Sequence, residues 1–338
     1  MRPGHIQFLA AVSALCVLVL VATWVIVSSN TLYCKHSTVF WDATDCYKFS
    51  VHDEASDVVF VGDSSLVFGV RPNLIADQLH LTAFNLGLPA GSLIFFPGML
   101  LDHYLAHNRR PRLIVLYVSP WTLLDDQKDI TQLWNDGARV AIRHGSLAEV
   151  FGVFADDPRR VIQFPAIFLQ QGWRQFSLSG EWWRQASAEM RAERGWFAIW
   201  RPGRSRAILR PGGPFARPVS LPDRCTLAIK PLVPNRRQIR RFRDAYQHAG
   251  VRVVIYVAPV PSCDPSYPAI VAAYAGIADN LPRTLPGRYF VDDGWRVHMT
   301  RDGASQATAQ VADFIRSTIV SSGGKPAAPN PSISNNHL

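Results

Sequence analysis

The sequence lacks the patterns by which cysteine and histidine usually bind zinc, since it contains no Cys-x-x-Cys pair and no cluster of Cys and His residues. Cysteine is also scarce, with five residues in a chain of 338. Cys16 lies inside an apolar stretch, where we interpret it as a packing residue. The other four are an even number and permit two disulfides, as in exported proteins. Proximity along the chain favours Cys34–Cys46 and Cys225–Cys263, although four cysteines allow three pairings.

Charged residues are absent from residues 6–31, where Leu, Val, Ala and Ile dominate. About 20 apolar residues are enough to cross a bilayer as a helix. The run is longer than the roughly 7–15 residues of a signal-peptide core, and the candidate cleavage site Val27-Ser28-Ser29 is poor. We therefore predict an uncleaved, single-pass anchor over residues 1–30 rather than a cleaved signal peptide. The short basic N-terminus favours an inside position, which places the rest of the chain outside the cytoplasmic membrane, in the periplasm.

The formal net charge is +9 and the pI is about 9.6. In a cytosolic protein this excess would indicate nucleic acid as a partner, but we expect none for an exported domain. The charge there indicates proximity to anionic lipid or to an anionic envelope polymer, or it serves solubility alone. Five arginines share one segment, where they form a solvated helix face or contact an anionic polymer, lipid headgroups or a partner. They are Arg236, Arg237, Arg240, Arg241 and Arg243.

Short apolar runs that end in turn residues are typical of buried parallel strands. They occur at 58–61, 81–86, 113–118, 251–257 and 288–291. Helical spacing occurs at 72–80, 92–108, 235–248 and 303–321, with Pro97 expected in the first turn of its helix or at a kink. Alternating strands and helices predict an α/β domain over residues 57–321, with a parallel sheet that is covered on both faces.

The third and fourth predicted strands are separated by more than a hundred residues, about 122–233, which we interpret as a mostly helical insertion. Helices are predicted in it at 147–154 and 159–170. Its tryptophans either belong to the core, stack on sugar rings or lie at a membrane interface. They are Trp134, Trp173, Trp182, Trp183, Trp196 and Trp200. A linker is expected at 31–56, and the tail 322–338, rich in Gly, Pro, Ser and Asn, is predicted to be disordered.

Candidate site residues follow the predicted strands, where open α/β sheets bind their ligands. Ser64 ends the turn Gly62-Asp63-Ser64 after the first strand, Gly87 follows the second, and His298 precedes the last helix. A serine at a strand tip projects into the crevice, and backbone N–H groups of the next helix can stabilise an oxyanion. The alternatives are structural: Ser64 as a helix N-cap, Gly87 as a tight turn, and His298 as an ordinary partly buried histidine.

Three segments resemble motif blocks of the SGNH (GDSL-type) hydrolase superfamily. VVFVGDSSLVFGV resembles the first block, AFNLGLPAGS the second and RVHMTRDGASQATAQVADFI the last. The resemblance implies acyl transfer without a metal or cofactor. It makes Ser64 the nucleophile and His298 the general base, and it builds the oxyanion hole from backbone N–H groups of Ser64 and Gly87.

The sequence departs from the superfamily pattern at two points. Trp295 stands where the family has the aspartate that orients the histidine. Asp293 and Asp292 lie slightly further upstream, and Asp293 is the preferred candidate. The segment Ser119-Pro120-Trp121-Thr122 stands where the family has an asparagine, so the oxyanion hole relies on backbone N–H groups alone or on another donor.

The anchor and the degenerate core resemble one branch of this superfamily, whose membrane-anchored members work with membrane-bound O-acyltransferases. We therefore predict a three-layer, doubly wound sheet in the flavodoxin-like order 2-1-3-4-5. The implied reaction transfers an acyl group, such as acetyl, to a hydroxyl of an envelope polysaccharide or glycolipid through acyl-Ser64. A membrane-bound O-acyltransferase is the expected partner. Two alternatives stay open: an esterase that uses water as acceptor, and an inactive scaffold that binds glycan or a partner.

Overall fold

A computed structural model describes residues 3–321 except 38, 126, 128–129, 156, 162, 165–179, 199–219, 225–226, 228–231 and 294. Its helices are α1 (Pro3–Ser28), α2 (Asn30–His36), α3 (Phe40–Phe49), α4 (Ser64–Gly69), α5 (Pro72–Leu79), α6 (Ala90–Phe95), α7 (Met99–His107), α8 (Thr131–His144), α9 (Leu147–Ala155), α10 (Glu181–Ala192), α11 (Arg236–His248), α12 (Tyr267–Tyr274) and α13 (Arg301–Ser321). Its strands are β1 (Val58–Gly62), β2 (Ala83–Gly87), β3 (Leu113–Val118), β4 (Arg252–Val257), β5 (Val260–Pro261) and β6 (Thr284–Leu285).

Four parallel strands form the central sheet in the order β2-β1-β3-β4. Side chains of a strand point alternately to its two faces. In β1, Val59 belongs to one buried cluster together with Phe242 of α11. Its neighbour Phe60 belongs to a second cluster with Val311 of α13. The prediction of an α/β chain with a parallel sheet covered on both faces is thereby confirmed.

The predicted fifth strand at 288–291 is wrong, because these residues do not join the central sheet. A 3₁₀ helix covers Gly287–Tyr289 instead. Its Arg288 N–H donates to the carboxylate of Asp223 at 3.1 Å, so this amide is not available to a strand ladder. Beyond it, Phe290 pairs with Met299 and Val291 with Ser220, each in a single antiparallel bridge. The only parallel pairing outside the central sheet, within the described ranges, joins β5 to β6.

Pro97 divides the helix predicted at 92–108. The structure has α6 before it and α7 after it, and the chain leaves the helical path between them. Proline has no N–H for the helix ladder and its ring crowds the preceding turn, so a break at this point is expected.

The segment predicted as a linker forms helices α2 and α3, and most of α3 is buried. Cys34 and Cys46 form a disulfide across it, in agreement with the favoured pairing. Arg143 of α8 donates to Asp42 at 2.8 Å and to Asp45 at 2.7 Å, so buried ion pairs hold α3 against α8. Cys263 is also disulfide-bonded; its predicted partner, Cys225, lies outside the described residues.

The segment between β3 and β4 that was predicted to be an insertion forms α8, α9 and α10 in the part that the structure describes. Among its tryptophans, Trp134, Trp182 and Trp196 are buried, as core residues are. Trp173, Trp200, most of the helix predicted at 159–170 and the tail 322–338 lie outside the described residues. At the other end of the chain, one helix is long and apolar enough to cross a membrane, over Gly4–Ile26, and little of it is buried.

Candidate functional site

Ser64 is the first residue of α4 and stands at the carboxyl edge of the sheet, directly beyond β1. It is half-buried, whereas its neighbours Asp63 and Ser65 are buried. Asp63 is the N-cap of α4, because its carboxylate accepts a hydrogen bond from the Ser65 N–H at 2.8 Å. Ser64 is therefore not the capping residue, and its hydroxyl points to a different contact.

The other carboxylate oxygen of Asp63 accepts a hydrogen bond from the N–H of Ser119 at 2.9 Å. Ser119 follows β3, so this bond ties the turn after β1 to the turn after the neighbouring strand. The Ser119 hydroxyl in turn accepts from the Trp121 N–H at 3.1 Å. Asp63 and Ser119 thus fix the loops at the edge of the sheet.

His298 lies between Ser64 and Asp293. Its Nε2 is 2.8 Å from Oγ of Ser64, and its Nδ1 hydrogen-bonds to the carboxylate of Asp293. In the tautomer with the hydrogen on Nδ1, the ring donates to the carboxylate and Nε2 presents its lone pair to the serine hydroxyl. The Asp293 side chain is fully buried and the histidine ring nearly so. A serine, a base and an orienting carboxylate in this order are the elements of nucleophilic catalysis.

Asp293 reaches His298 from five positions upstream because the chain reverses between them. Phe290 pairs with Met299 in an antiparallel bridge at the base of this turn. The N–H of Val291 donates to the carbonyl of His298 at 2.9 Å. The carboxylate and the imidazole therefore stand on opposite arms of one turn. Asp292, the other candidate, is exposed.

Two residues inside this turn hold its shape. Arg296 has φ of 62°, in the left-handed region that non-glycine residues seldom adopt. Its guanidinium lies 3.3 Å from the carboxylate of Asp264, which follows β5, and both side chains are buried. Trp295, at the position of the family's aspartate, has an exposed side chain, but its N–H donates to Oδ1 of Asp293 at 2.9 Å. No local pattern signals the Arg296–Asp264 pair, since its members lie 32 positions apart in the chain.

Gly87 ends β2 and lies close to α4. A Cβ atom at this position would come within 2.8 Å of the backbone nitrogen of Val67. The Gly87 N–H donates to Oδ1 of Asn85 at 2.9 Å. An oxyanion hole that uses this N–H, as the resemblance implies, must share it with Asn85.

Asn85 is a site residue that sequence reasoning missed. It is fully buried in β2, and its Nδ2 donates to the carbonyls of Leu66 at 2.8 Å and Val70 at 2.9 Å. Leu66 lies in the helix that begins with Ser64 and Val70 is the C-cap of that helix, so Asn85 couples the Gly87 turn to it. Its signal was a lone amide in an otherwise apolar run, AFNLG.

Lys48 reaches the same turn from α3 and is fully buried. Its Nζ donates to the carbonyl of Gly87 and, at 3.3 Å, to Oδ1 of Asn85. Burial lowers the pKa of Lys48 well below the ordinary 10.5, because the charged ammonium loses its hydration. The carbonyl of Gly87 and Oδ1 of Asn85 supply the buried amine with two hydrogen-bond acceptors. Nothing in the sequence around Lys48 predicted its burial.

Aromatic rings form one wall beside the histidine. The ring of Phe68 meets His298 edge to face at a centroid distance of 5.1 Å. Behind it, Phe40 stacks on Phe68 at 5.4 Å and Trp41 contacts it at 5.7 Å. Phe40 and Trp41 are half-buried and belong to α3, inside the loop that the Cys34–Cys46 disulfide closes. The segment that follows α1 thus contributes to the surroundings of the candidate site.

The structure brings Ser64, His298 and Asp293 into one hydrogen-bonded relay, and Gly87 lies at the neighbouring strand end. Across the described ranges, no group of three or more His, Cys, Asp or Glu side chains is arranged to hold a metal ion. The chain matches no protein-family model, no curated protein and no solved structure with which it was compared.

Proposed function

We propose that this protein is a membrane-anchored, extracytoplasmic acyltransferase of the SGNH superfamily, with a flavodoxin-like core and an inserted segment. In this proposal it O-acylates, most simply O-acetylates, a cell-envelope polysaccharide or glycolipid. The observation that carries the proposal is the relay of Asp293, His298 and Ser64 at the carboxyl edge of the sheet. It supports an enzyme over an inactive scaffold, because a buried carboxylate and a correctly turned imidazole activate a serine hydroxyl.

The reaction would proceed in two acyl transfers. Oγ of Ser64 attacks the carbonyl carbon of the acyl donor while Nε2 of His298 takes the hydroxyl proton. The tetrahedral intermediate collapses, the leaving group receives that proton from His298, and acyl-Ser64 remains. A hydroxyl of the glycan then attacks the acyl carbon and gives its proton to His298, which returns it to Ser64 as the ester is released. Asp293 stays ionised throughout and stabilises the transient imidazolium.

The oxyanion of each intermediate needs donors next to Ser64. The backbone N–H of Ser64 lies in the first turn of α4, where a helix leaves its N–H groups without intrahelical acceptors. The Gly87 N–H would contribute by sharing its bond to Asn85. The carbonyl of the same glycine is held by Lys48, which fixes the orientation of this turn.

Two features support a membrane-anchored, extracytoplasmic location. Helix α1 has the length and apolar composition of a membrane span. The Cys34–Cys46 disulfide lies directly after it, and disulfides persist in oxidising compartments such as the periplasm. An anchored domain of this kind would receive its acyl group from a membrane-bound O-acyltransferase. A gene for such a multi-spanning protein beside this one would favour transfer over hydrolysis.

A fluorophosphonate probe tests the activated serine. The full-length protein in detergent should react with the probe, and Ser64→Ala should abolish the labelling. Ser317→Ala, which changes an exposed serine on α13, is the matched control and should label like the wild type. A wild-type protein that does not label would favour the scaffold.

Measurements in cells distinguish acyl transfer to the glycan from removal of acyl groups. The O-acetyl content of the envelope glycan should fall in a deletion strain, and it should return with the wild-type gene but not with Ser64→Ala. A rise in O-acetyl content on deletion would assign the same residues to an esterase that uses water as acceptor.

A further inference from the structure

Helix α9 exposes a face that has no polar side chain. Its exposed positions are Leu147, Ala148, Phe151, Gly152 and Ala155. Leu147 is 78% exposed and Phe151 is 73% exposed, and the two lie one helical turn apart on the same side. A surface helix in water normally carries charged or polar residues on its outer face. This face is instead suited to an apolar surrounding.

The single ionisable residue of α9 does not change that character. The carboxylate of Glu149 accepts hydrogen bonds from the N–H and the hydroxyl of Ser146, at 2.7 and 2.8 Å. This is a capping arrangement at the N-terminus of the helix, where the helix dipole also stabilises a negative charge. The rest of the helix is left without a charge.

The buried side of α9 packs near the C-terminal end of α1. Val153 and Phe154 are its buried residues, and the ring of Phe154 meets the ring of Trp24 edge to face at a centroid distance of 5.6 Å. Trp24 lies close to the end of the apolar span at Ile26. Tryptophans at such positions commonly mark the level of the membrane–water interface. Helix α9 therefore lies beside the end of the apolar span, at the level of Trp24.

We propose that α9 lies in the interface of the bilayer that α1 crosses, with Leu147 and Phe151 among the lipid acyl chains. The inference rests on the anchored location given under the proposed function, but not on the chemistry at Ser64. Lipid is the occupant because α9 packs against Trp24 of the anchor, and the anchor residues Val21 and Val25, on either side of Trp24 in the sequence, are themselves exposed and apolar. Amphipathic helices that lie on membranes bind by inserting an apolar face of this kind.

A second point of contact would determine how the domain stands on the membrane. A single helix allows the domain to rotate about the anchor and to tilt. With α9 inserted as well, α8 keeps a fixed orientation to the bilayer. Helix α3 keeps it too, because Arg143 of α8 forms ion pairs with α3. Phe40 and Trp41, which pack behind Phe68 in the aromatic wall beside His298, belong to that same α3, so the candidate site would face one constant direction.

The test uses the full chain in nanodiscs of phosphatidylcholine and phosphatidylglycerol. An environment-sensitive fluorophore is attached to Phe151→Cys in a Cys16→Ser background, and lipids with nitroxide groups on their acyl chains serve as quenchers. The expected result is emission at shorter wavelength and strong quenching. Leu147→Cys should behave in the same way. Arg240→Cys, at an exposed position of α11, is the control and should show neither effect.

A label on Cys16 distinguishes a failure of the α9 inference from a failure of the anchored location. Cys16 is the free cysteine of the described residues and is exposed on α1, so a label on it reports whether the anchor is in the bilayer. Quenching at Cys16 without quenching at Phe151 overturns the inference and leaves the anchored location intact. Quenching at neither position rejects both. A Phe151 label that lipid quenchers do not reach, but that becomes shielded in native membranes, assigns the face to a protein partner instead.

Discussion

The carboxylate of Asp293 hydrogen-bonds to Nδ1 of His298 across a turn whose base is the Phe290–Met299 bridge. The same imidazole meets Oγ of Ser64 at 2.8 Å on its other side. Ser64, His298 and Asp293 thus stand in the order that nucleophilic catalysis requires, although Trp295 occupies the position where the SGNH resemblance would place the aspartate. Asp293 lies five positions before His298, and the turn brings its carboxylate to the ring.

Asp293→Asn is the most direct change to this relay. The amide would hydrogen-bond to the ring without a negative charge, so it would no longer favour the correct tautomer or stabilise the imidazolium. We expect the rate of fluorophosphonate labelling to fall on the order of 10³–10⁴-fold, with the fold retained. The neighbouring Asp292→Asn alters an exposed carboxylate and should label at the wild-type rate. The reverse ranking of the two variants would reject the assignment of Asp293.

The ion pair of Arg296 and Asp264 is expected to hold the relay in place without touching the reacting atoms. Arg296→Met leaves a buried carboxylate unpaired and removes the tie between the turn and the loop after β5. Labelling of Ser64 should slow on the order of 10- to 100-fold, because small displacements of a catalytic group have large effects. Arg296→Lys should recover part of the rate.

The matched control for that pair lies on the same segment. Arg288 pairs with Asp223, but both side chains are about half exposed, and exposed ion pairs contribute little. Arg288→Met should therefore keep the wild-type labelling rate. Equal losses in Arg288→Met and Arg296→Met would show a general sensitivity of the segment rather than a role for the buried pair.

The sequence predicted those parts of the fold that depend on local pattern. The apolar runs of β1 and β3 end in turn residues, and the carboxyl ends of parallel strands meet at one edge. Ser64 and Gly87 were therefore expected to be neighbours, and the structure places them on adjacent strand ends. The same reasoning failed at 288–291, where a short apolar run is not sufficient to decide which segment it pairs with.

The remainder of the site depends on contacts between distant segments. Arg296, in the turn between Asp293 and His298, has a left-handed φ that its residue type does not signal. Lys48 becomes buried because α3 docks against the domain through Asp42, Asp45 and Arg143, although the segment looked like a linker. Such features follow from tertiary packing, to which a single sequence gives little access.

Gly87→Ala tests the close approach of β2 to the helix that carries Ser64. The added methyl would lie 2.8 Å from the backbone nitrogen of Val67 and 2.9 Å from its Cγ2 atom, so α4 must shift. We expect a loss of about 1–3 kcal/mol in the free energy of unfolding and slower labelling of Ser64. Gly152→Ala is the control, because a Cβ there meets nothing within 4 Å. In the middle of α9 it should stabilise the helix by about 0.5–1 kcal/mol.

Lys48 predicts a specific dependence of stability on pH. Its pKa in the folded protein lies well below 10.5, so between those two values the unfolded chain binds a proton that the folded protein does not. The free energy of unfolding therefore rises with pH in that window, by up to about 1.4 kcal/mol per pH unit from this group.

In Lys48→Met this contribution to the pH dependence is absent. Urea unfolding in detergent between about pH 7 and pH 9.5 should show the wild type gaining on the variant as pH rises. Lys35→Met, at an exposed lysine of α2, should keep the wild-type slope. Parallel curves for the wild type and Lys48→Met would mean that Lys48 keeps its proton in the folded state, and the two-acceptor arrangement at Gly87 and Asn85 would then have to hold an ammonium.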